Sequence, residues 1–135
     1  MNADCQSIAV NAPPAEVYRY CLRFEDVAQF IPPLRNLQRV SDTRFSWTSI
    51  VNGKEVKCDV LVMMRVPERR IAWQAESDDF RIGVVFLDPL IGGGTKVTVK
   101  VRSIVEPVLL AGALRQYLRN FKHFVENHGD ETEGR

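Results

Sequence analysis

Residues 106–127 read EPVLLAGALRQYLRNFKHFVEN, and this stretch decides the fold. Its apolar residues recur at steps of three and four, the spacing that lines one face of an α-helix. They are Leu110, Leu114, Tyr117, Phe121, Phe124 and Val125. Pro107 suits the first turn of a helix, and Gly129 stands where a helix commonly ends. The stretch predicts a helix of roughly 30 Å whose apolar face either packs as core or lines a cavity.

The opposite side of the same predicted helix is charged. Lys122 and Glu126 are four residues apart, so they can pair on the helix surface. Ser103 and Glu106 have the spacing of a capping box at the start of the helix. A helix with one apolar and one charged side covers an apolar layer and turns its charges to solvent.

Length and composition indicate one ordinary globular domain. The chain has 135 residues, of which 45% are hydrophobic and 26% charged, and its formal net charge is +1. So small a net charge gives no electrostatic indication of a nucleic-acid partner. The N-terminal run MNADCQSIAV has no signal-peptide pattern, and no apolar run approaches the ~20 residues of a membrane span. We therefore expect a cytoplasmic protein without a membrane span.

The cysteines and histidines do not form a metal-binding pattern. Cys5, Cys21 and Cys58 are an odd number at long spacings, and no histidine is placed to complete a zinc site. We expect reduced thiols, with Cys58 a small core residue, and neither a metal nor a cofactor. His123 and His128 are five residues apart near the C-terminus, which fits surface side chains better than ligands or a catalytic base.

The N-terminal part predicts a strand followed by two short helices. Residues 5–11 alternate like a half-buried strand, and Asn11-Ala12-Pro13-Pro14 breaks it. The next residues carry an apolar stripe at helical spacing, and Asp26 is a plausible cap for a second helix that ends before Pro32. The two helices are predicted to occupy residues 14–31.

The middle of the chain predicts an antiparallel meander. Short apolar runs at 37–40, 44–51, 55–66, 70–77, 80–86 and 96–102 are separated by turn residues. Asn52-Gly53 is the strongest hairpin signal, and Gly92-Gly93-Gly94 fits a hairpin turn because the spacing of a phosphate-binding loop is absent. Alternation predicts that Met64 shares the buried face of Cys58 and Val60.

These elements predict an α+β helix-grip fold. A seven-stranded antiparallel sheet curls around a long C-terminal helix, and two short helices follow strand 1. The predicted domain spans residues 1–127, and residues 128–135 are expected to form a frayed polar tail.

Several local sequences resemble the START-like superfamily, also called SRPBCC, and within it the polyketide cyclase/dehydrase group. The similar segments are 7–13, Val17-Tyr18, Asp26 with Phe30 and Pro32, 67–73, 83–86, 94–99 and 118–125. The resemblance covers nearly the whole chain and implies a deep apolar cavity between the concave sheet and the last helix. Members of this superfamily include lipid carriers, hormone receptors, coenzyme Q-binding proteins and cyclases, so the fold alone does not select an activity.

The inward residues are the candidate ligand contacts. Several are aromatic and would not all meet in one dense core if the sheet curls widely, although a fully packed interior is the alternative. The candidates are Phe30, Phe45, Trp47, Cys58, Val60, Trp73, Ile82, Val84, Phe86, Leu114, Tyr117, Leu118 and Phe121.

One candidate catalytic residue comes from the resemblance. Related aromatase/cyclases are proposed to hold the polyketide with a strand arginine, and Arg65 best matches that position. Strict alternation along its strand would turn Arg65 outward, so this role requires a bulge near Met63-Met64.

Three hypotheses about function remain open at this point. The first is a module that binds a hydrophobic metabolite, lipid or quinone, oriented by polar groups such as Ser49, Tyr18 or Tyr117. The second is a polyketide cyclase or dehydrase that acts on a molecule in the same cavity. The third is a protein that binds a macromolecular partner, as ribosome-associating members of the superfamily do. The ligand and the oligomeric state are left open.

Overall fold

The computed structural model describes residues 2–23, 34–51, 53–75, 80–103 and 107–133. The elements follow the predicted order. Their bounds are β1 (Asn2–Val10), α1 (Pro14–Leu22), β2 (Leu34–Arg39), β3 (Arg44–Val51), β4 (Lys54–Val66), β5 (Arg70–Ala75), β6 (Phe80–Pro89), β7 (Thr95–Ser103) and α2 (Pro107–Glu133). The predicted second short helix and candidate Phe30 lie outside the described residues.

All seven strands form one antiparallel sheet in the order β1-β7-β6-β5-β4-β3-β2. The chain therefore runs as a meander from β2 to β7, and β1 adds to the far edge beside β7. The predicted helix-grip fold, with a seven-stranded sheet and a long C-terminal helix, is confirmed. Gly53, Gly92 and Gly93 have positive φ, as tight turns between antiparallel strands require.

Two boundaries differ from the prediction for physical reasons. β2 begins three residues earlier than expected, at Leu34, because a register shift between Arg35 and Gln38, with Asn36 at φ 54°, interrupts its alternation. α2 continues past Gly129 to Glu133, so the helix extends into the segment expected to fray. One glycine lowers helix propensity by about 1 kcal/mol but keeps its backbone hydrogen bonds, which explains why it does not end the helix.

The inner face of the sheet, the one turned toward α2, carries a core divided into three clusters. The large cluster joins α1, α2 and the β1, β6 and β7 strands, and it contains Val10, Ala12, Val17, Tyr20, Leu87, Val97, Leu118, Phe121, Phe124 and Val125. The strand cluster contains Phe45, Cys58, Val60, Val62, Ile71 and Ala75. The small cluster contains Val101, Leu110 and Leu114.

The two helices are fixed to each other at the end of the sheet where α2 finishes. The rings of Tyr20 and Phe124 meet edge to face, with centroids 5.6 Å apart and planes at 86°. Leu110 and Leu114 lie nearer the start of α2, in the small cluster. The helix therefore bridges two separate apolar clusters, and the space between them is where a cavity is expected.

Candidate ligand-binding site between the sheet and the long helix

The three clusters of the core are joined by side chains that face the interior and yet keep accessible surface. Trp73 packs against both the strand cluster and the small cluster, and Val99 packs against the large and small clusters. Tyr18 and Cys21 of α1 pack against the large and strand clusters. All four side chains are only partly buried. Because these four side chains lie where the three clusters meet, this junction is the candidate site.

Cys21 is one of these four side chains, and its surroundings shift its pKa. Desolvation by burial raises the pKa of its thiol from 9.0 to about 12. The same side chain keeps part of its surface accessible. The thiol therefore stays neutral at ordinary pH.

Tyr117 of α2 is a second titratable group whose pKa is shifted by burial. It is half-buried, and desolvation by burial raises the pKa of its hydroxyl. The hydroxyl therefore remains protonated and can donate one hydrogen bond. A neutral Cys21 adds no charge to the junction, which suits a ligand without a buried charge.

Eight of the candidate ligand contacts have their side chains in the buried or half-buried interior between sheet and helix, and Tyr117 is half-buried beside them on α2. On the sheet they are Phe45, Trp47, Cys58, Val60 and Trp73, and on α2 they are Leu114, Leu118 and Phe121. Cys58 is 2% exposed, which confirms the prediction that it is a core residue. The side chain of Ser49 lies outside the described set.

The sequence-based prediction placed three candidates of β6 on the wrong face of the sheet. The register shifts between Phe80 and Ile82, and after this irregularity Gly83, Val85 and Leu87 share the inner face. Ile82, Val84 and Phe86 therefore lie on the outer face, where Ile82 is 44% exposed. The ring of Phe86 is covered there by cations, with Arg70 at 4.9 Å and Lys100 at 5.2 Å from its centroid.

Val85 and Val99 are the interior residues that sequence reasoning missed. Both are half-buried and pack against the large cluster. Val85 follows Val84 and precedes Phe86, so β6 is apolar on both faces and alternation cannot select one. Gly83 was the residue that could have indicated the inner face of β6. A glycine inside a strand often marks a position where another group packs closely, and here Trp73 pairs with it.

Arg65 lies beyond a bulge in β4. Val62 pairs with Trp73, but Met64 pairs with the adjacent Ala72, so one extra residue is inserted at Met63. Arg65 consequently pairs with Ile71, which is 2% exposed. Direct neighbours in an antiparallel pair share a face, so the backbone places Arg65 on the inner face while its side chain stays exposed near the β4–β5 turn. The bulge that its candidate role requires is present.

The same bulge corrects the prediction for Met64. Alternation from Cys58 placed Met64 on the buried face, but it is 43% exposed. The extra residue at Met63 reverses the phase of the strand, so Met64 pairs with Ala72 on the outer face.

The C-terminal half of α2 is attached to the end of β1 by polar contacts. Lys122 Nζ donates to the carbonyl oxygen of Ala9 at 2.8 Å and to Glu126 at 2.6 Å, and Glu126 accepts the backbone N–H of Asn11 at 2.8 Å. Burial alone would raise the pKa of Glu126, but these hydrogen bonds, together with the charges of Lys122 and His123, hold it below its ordinary value of 4.5. The helix is thus anchored on one side of the junction.

Other surfaces of the described residues were also considered as sites. An open depression on the outer face is lined by Cys5, Ile82, Val84, Lys100 and neighbours. Gly92 and Gly93 lie in a β6–β7 hairpin turn, in which Leu90 N–H donates to the Gly94 oxygen, as predicted. Within the described ranges, no group of three or more histidine, cysteine, aspartate or glutamate side chains could hold a metal ion. No helix in that part of the chain is long and apolar enough to cross a membrane.

Comparisons with known proteins agree with this architecture. An uncharacterized 17.2 kDa protein of Streptomyces lincolnensis is 30% identical over 139 residues, covering 96% of this chain and 93% of the relative. A START superfamily protein from Mycobacterium smegmatis superposes with a TM-score of 0.76 at 14% identity, covering 93% of this chain and 97% of that one. This similarity shows the fold.

One similar structure is an aromatase/cyclase. The di-domain ARO/CYC protein BexL of the BE-7585A biosynthetic pathway superposes with a TM-score of 0.72 at 22% identity, covering 93% of this chain and 47% of that one. The sequence model described as polyketide cyclase / dehydrase and lipid transport matches residues 10–126. Because this match covers most of its length, the chain belongs to the polyketide cyclase/dehydrase and lipid transport family.

Proposed function

We propose that this protein binds a hydrophobic small molecule in the space between the inner face of the sheet and α2. The observation that carries the proposal is a group of four half-buried side chains, each of which packs against two of the three clusters. They are Trp73, Val99, Tyr18 and Cys21. Membership of a family of cyclases and lipid transport proteins supports it.

The chemistry of these side chains indicates how such a ligand would be held. Apolar surface contributes roughly 25 cal/mol for each Å² removed from water, so affinity would come mainly from contact with Trp73, Val99 and their neighbours. The protonated hydroxyl of Tyr117 and the neutral thiol of Cys21 add no charge. The ligand class that fits is therefore an uncharged apolar body, with any ionised group left near the edge of the sheet.

Two valines on opposite faces of the sheet provide the test. Val99 faces the interior, whereas Val84 is a half-buried valine on the outer face. Val99→Phe would fill the space at the junction, and Val84→Phe adds the same volume outside it. The probe is anilinonaphthalene sulfonate, whose fluorescence increases in apolar surroundings, and each variant's thermal melting is measured alongside.

We expect the wild-type protein and Val84→Phe to bind the probe with similar affinity. Val99→Phe should bind it at least about tenfold more weakly while still melting cooperatively, because overlap with the added ring costs more than 1.4 kcal/mol. Absence of binding by the wild-type protein, or equal losses in the two variants, would refute an interior site.

A cyclase or dehydrase activity is the second candidate, and the bulge at Met63 is the observation that favours it. The bulge puts Arg65 on the inner face, where a guanidinium could hold the oxygen of an enolised ketone while a carbon–carbon bond forms and water leaves. The test is the rate at which a short poly-β-keto thioester cyclises. We expect acceleration over buffer alone that is lost in Arg65→Ala and kept in Arg70→Ala; no acceleration by the wild-type protein would exclude this activity.

A further inference from the structure

Trp73 occupies the space that a side chain at position 83 would need. An ideal Cβ built on Gly83 would lie 2.0 Å from Cζ2 of the indole, 2.3 Å from Cε2 and 2.5 Å from Cη2. Carbon atoms in contact are normally about 3.5–4.0 Å apart. The six-membered part of the indole therefore lies directly against the backbone of β6.

The glycine is not needed for the backbone of β6. Residues with positive φ include Gly53, Gly92 and Gly93, but not Gly83. Gly83 pairs with Trp73 on one side and with Val101 on the other, as any strand residue would. The feature that only glycine supplies here is the absence of a side chain beneath the ring.

The position of the indole determines how much room remains under α2. Trp73 packs against the strand cluster on one side and against the small cluster, which contains Leu110 and Leu114 of α2, on the other. The sheet side of the ring is covered by β6, so the ring can be displaced only away from Gly83. A side chain at position 83 would move the ring by about 1.5 Å toward the helix and into that space.

We infer that Gly83 sets the upper size limit of the ligand by allowing Trp73 to lie against the sheet. The inference rests on the proposed interior site and adds a residue that determines its specificity. Gly83 itself is covered by the indole, so it acts as a positioning residue and has no contact with the ligand.

The experiment compares Gly83→Ala with Gly112→Ala in the wild-type parent, and Trp47→Phe is added only for the fluorescence measurements, in which Trp73 is then the remaining tryptophan. Gly112 is a matched control because an added Cβ would meet nothing within 4 Å. The probes are saturated fatty acids in a ladder from octanoate to stearate, with bound stoichiometry and affinity measured by native mass spectrometry and by Trp73 fluorescence.

We expect Gly83→Ala to shift the emission of Trp73 without ligand and to weaken binding of the longest acid that the parent binds by about tenfold. Binding of octanoate by Gly83→Ala, and binding of the whole ladder by Gly112→Ala, should match the parent. A second variant, Trp73→Leu, keeps the test valid if Gly83→Ala folds poorly. Adding Gly83→Ala to Trp73→Leu should neither lower stability nor change the size limit, because the ring that collides has been removed.

The outcomes separate this inference from the proposed function. If the parent binds the ladder and Gly83→Ala keeps the same size limit, the role of Gly83 is wrong and the interior site stands. The role of Gly83 is equally excluded if Gly83→Ala is as harmful in the Trp73→Leu background as in the parent. If the parent binds no member of the ladder, both the interior site and the inference that rests on it fail.

Discussion

Arg65 on β4 pairs directly with Ile71 on β5, which is one of the most deeply buried side chains of the sheet. An exposed arginine opposite a buried isoleucine is unusual, because direct neighbours normally share their surroundings as well as their face. The pair marks the point where the inner face of the sheet passes from core to solvent. A ligand whose apolar part lies beneath α2 could turn a polar group toward the guanidinium there.

Arg65→Ala should weaken binding of anilinonaphthalene sulfonate by roughly two- to fivefold, because the lost partner of the sulfonate is solvent-exposed and contributes little. The measurement is a fluorescence titration at low and high salt, and the difference from wild type should shrink as salt screens the charge. Arg70→Ala is the matched control, since Arg70 lies on the outer face against Phe86. Equal losses in the two variants would mean that Arg65 acts only through net charge.

The raised pKa of Cys21 should lower the free energy of unfolding at alkaline pH. Its folded pKa is raised from 9.0 to about 12, so the unfolded chain loses this proton first, and stability falls as pH rises between these two values. The slope from one such group is at most about 1.4 kcal/mol per pH unit. Urea unfolding across this range should therefore show a shallower fall in Cys21→Ala than in the wild type.

Cys5→Ala is the control for that measurement, because Cys5 is exposed. Its pH dependence should follow the wild-type curve. An identical alkaline slope in wild type and Cys21→Ala would show that the thiol is more hydrated than its surroundings suggest.

Glu126→Gln should destabilise the protein near neutral pH by about 1 kcal/mol, since the charged acceptor of the Asn11 N–H and of Lys122 is lost. The pKa of Glu126 is lowered in the folded state, so its stabilisation is present above 4.5 and disappears as pH falls through the folded value. The difference between variant and wild type should therefore vanish in acid. The exposed Glu55→Gln should show no such pH-dependent difference; a constant difference at all pH values would contradict the role of the charge.

Gly112→Ala should raise the free energy of unfolding by about 0.5–1 kcal/mol. Gly112 lies inside α2, and an added methyl group would meet nothing within 4 Å, so the change removes backbone freedom from the unfolded chain without a clash. Urea denaturation measures the gain. A loss of stability would indicate that α2 packs more closely at this position than its surroundings imply.

The strong local signals predicted the elements. The apolar stripe of α2, the glycine-rich turns and the alternation of β7 each depend on neighbours within a few residues, so the sequence carries them directly. Gly129 was the exception, because one unfavourable residue does not end a helix that is otherwise well supported.

The faces of the strands were harder to predict, because bulges reverse the phase of alternation. Met63 inserts one residue into β4, and the register shift between Phe80 and Ile82 does the same in β6. Each changes which side chains turn toward α2, yet neither leaves a clear mark, because residues 60–64 of β4 and 82–87 of β6 contain no charged residue that would identify the outer face. The junction of the three clusters likewise depends on how distant elements pack, which no local pattern encodes.

The pairing of β1 with β7 has a consequence for how the chain matures. The hydroxyl groups of Ser7 and Thr98 are 3.1 Å apart although 91 positions separate them along the chain. During synthesis β1 leaves the ribosome long before its neighbour exists, and its hydrogen-bonding edge stays open until β7 arrives. Contacts over such long separations form slowly, and unpaired edges invite aggregation. Closure of the sheet is thus a late event in biogenesis, and a nascent chain stalled before β7 would be a natural client of chaperones.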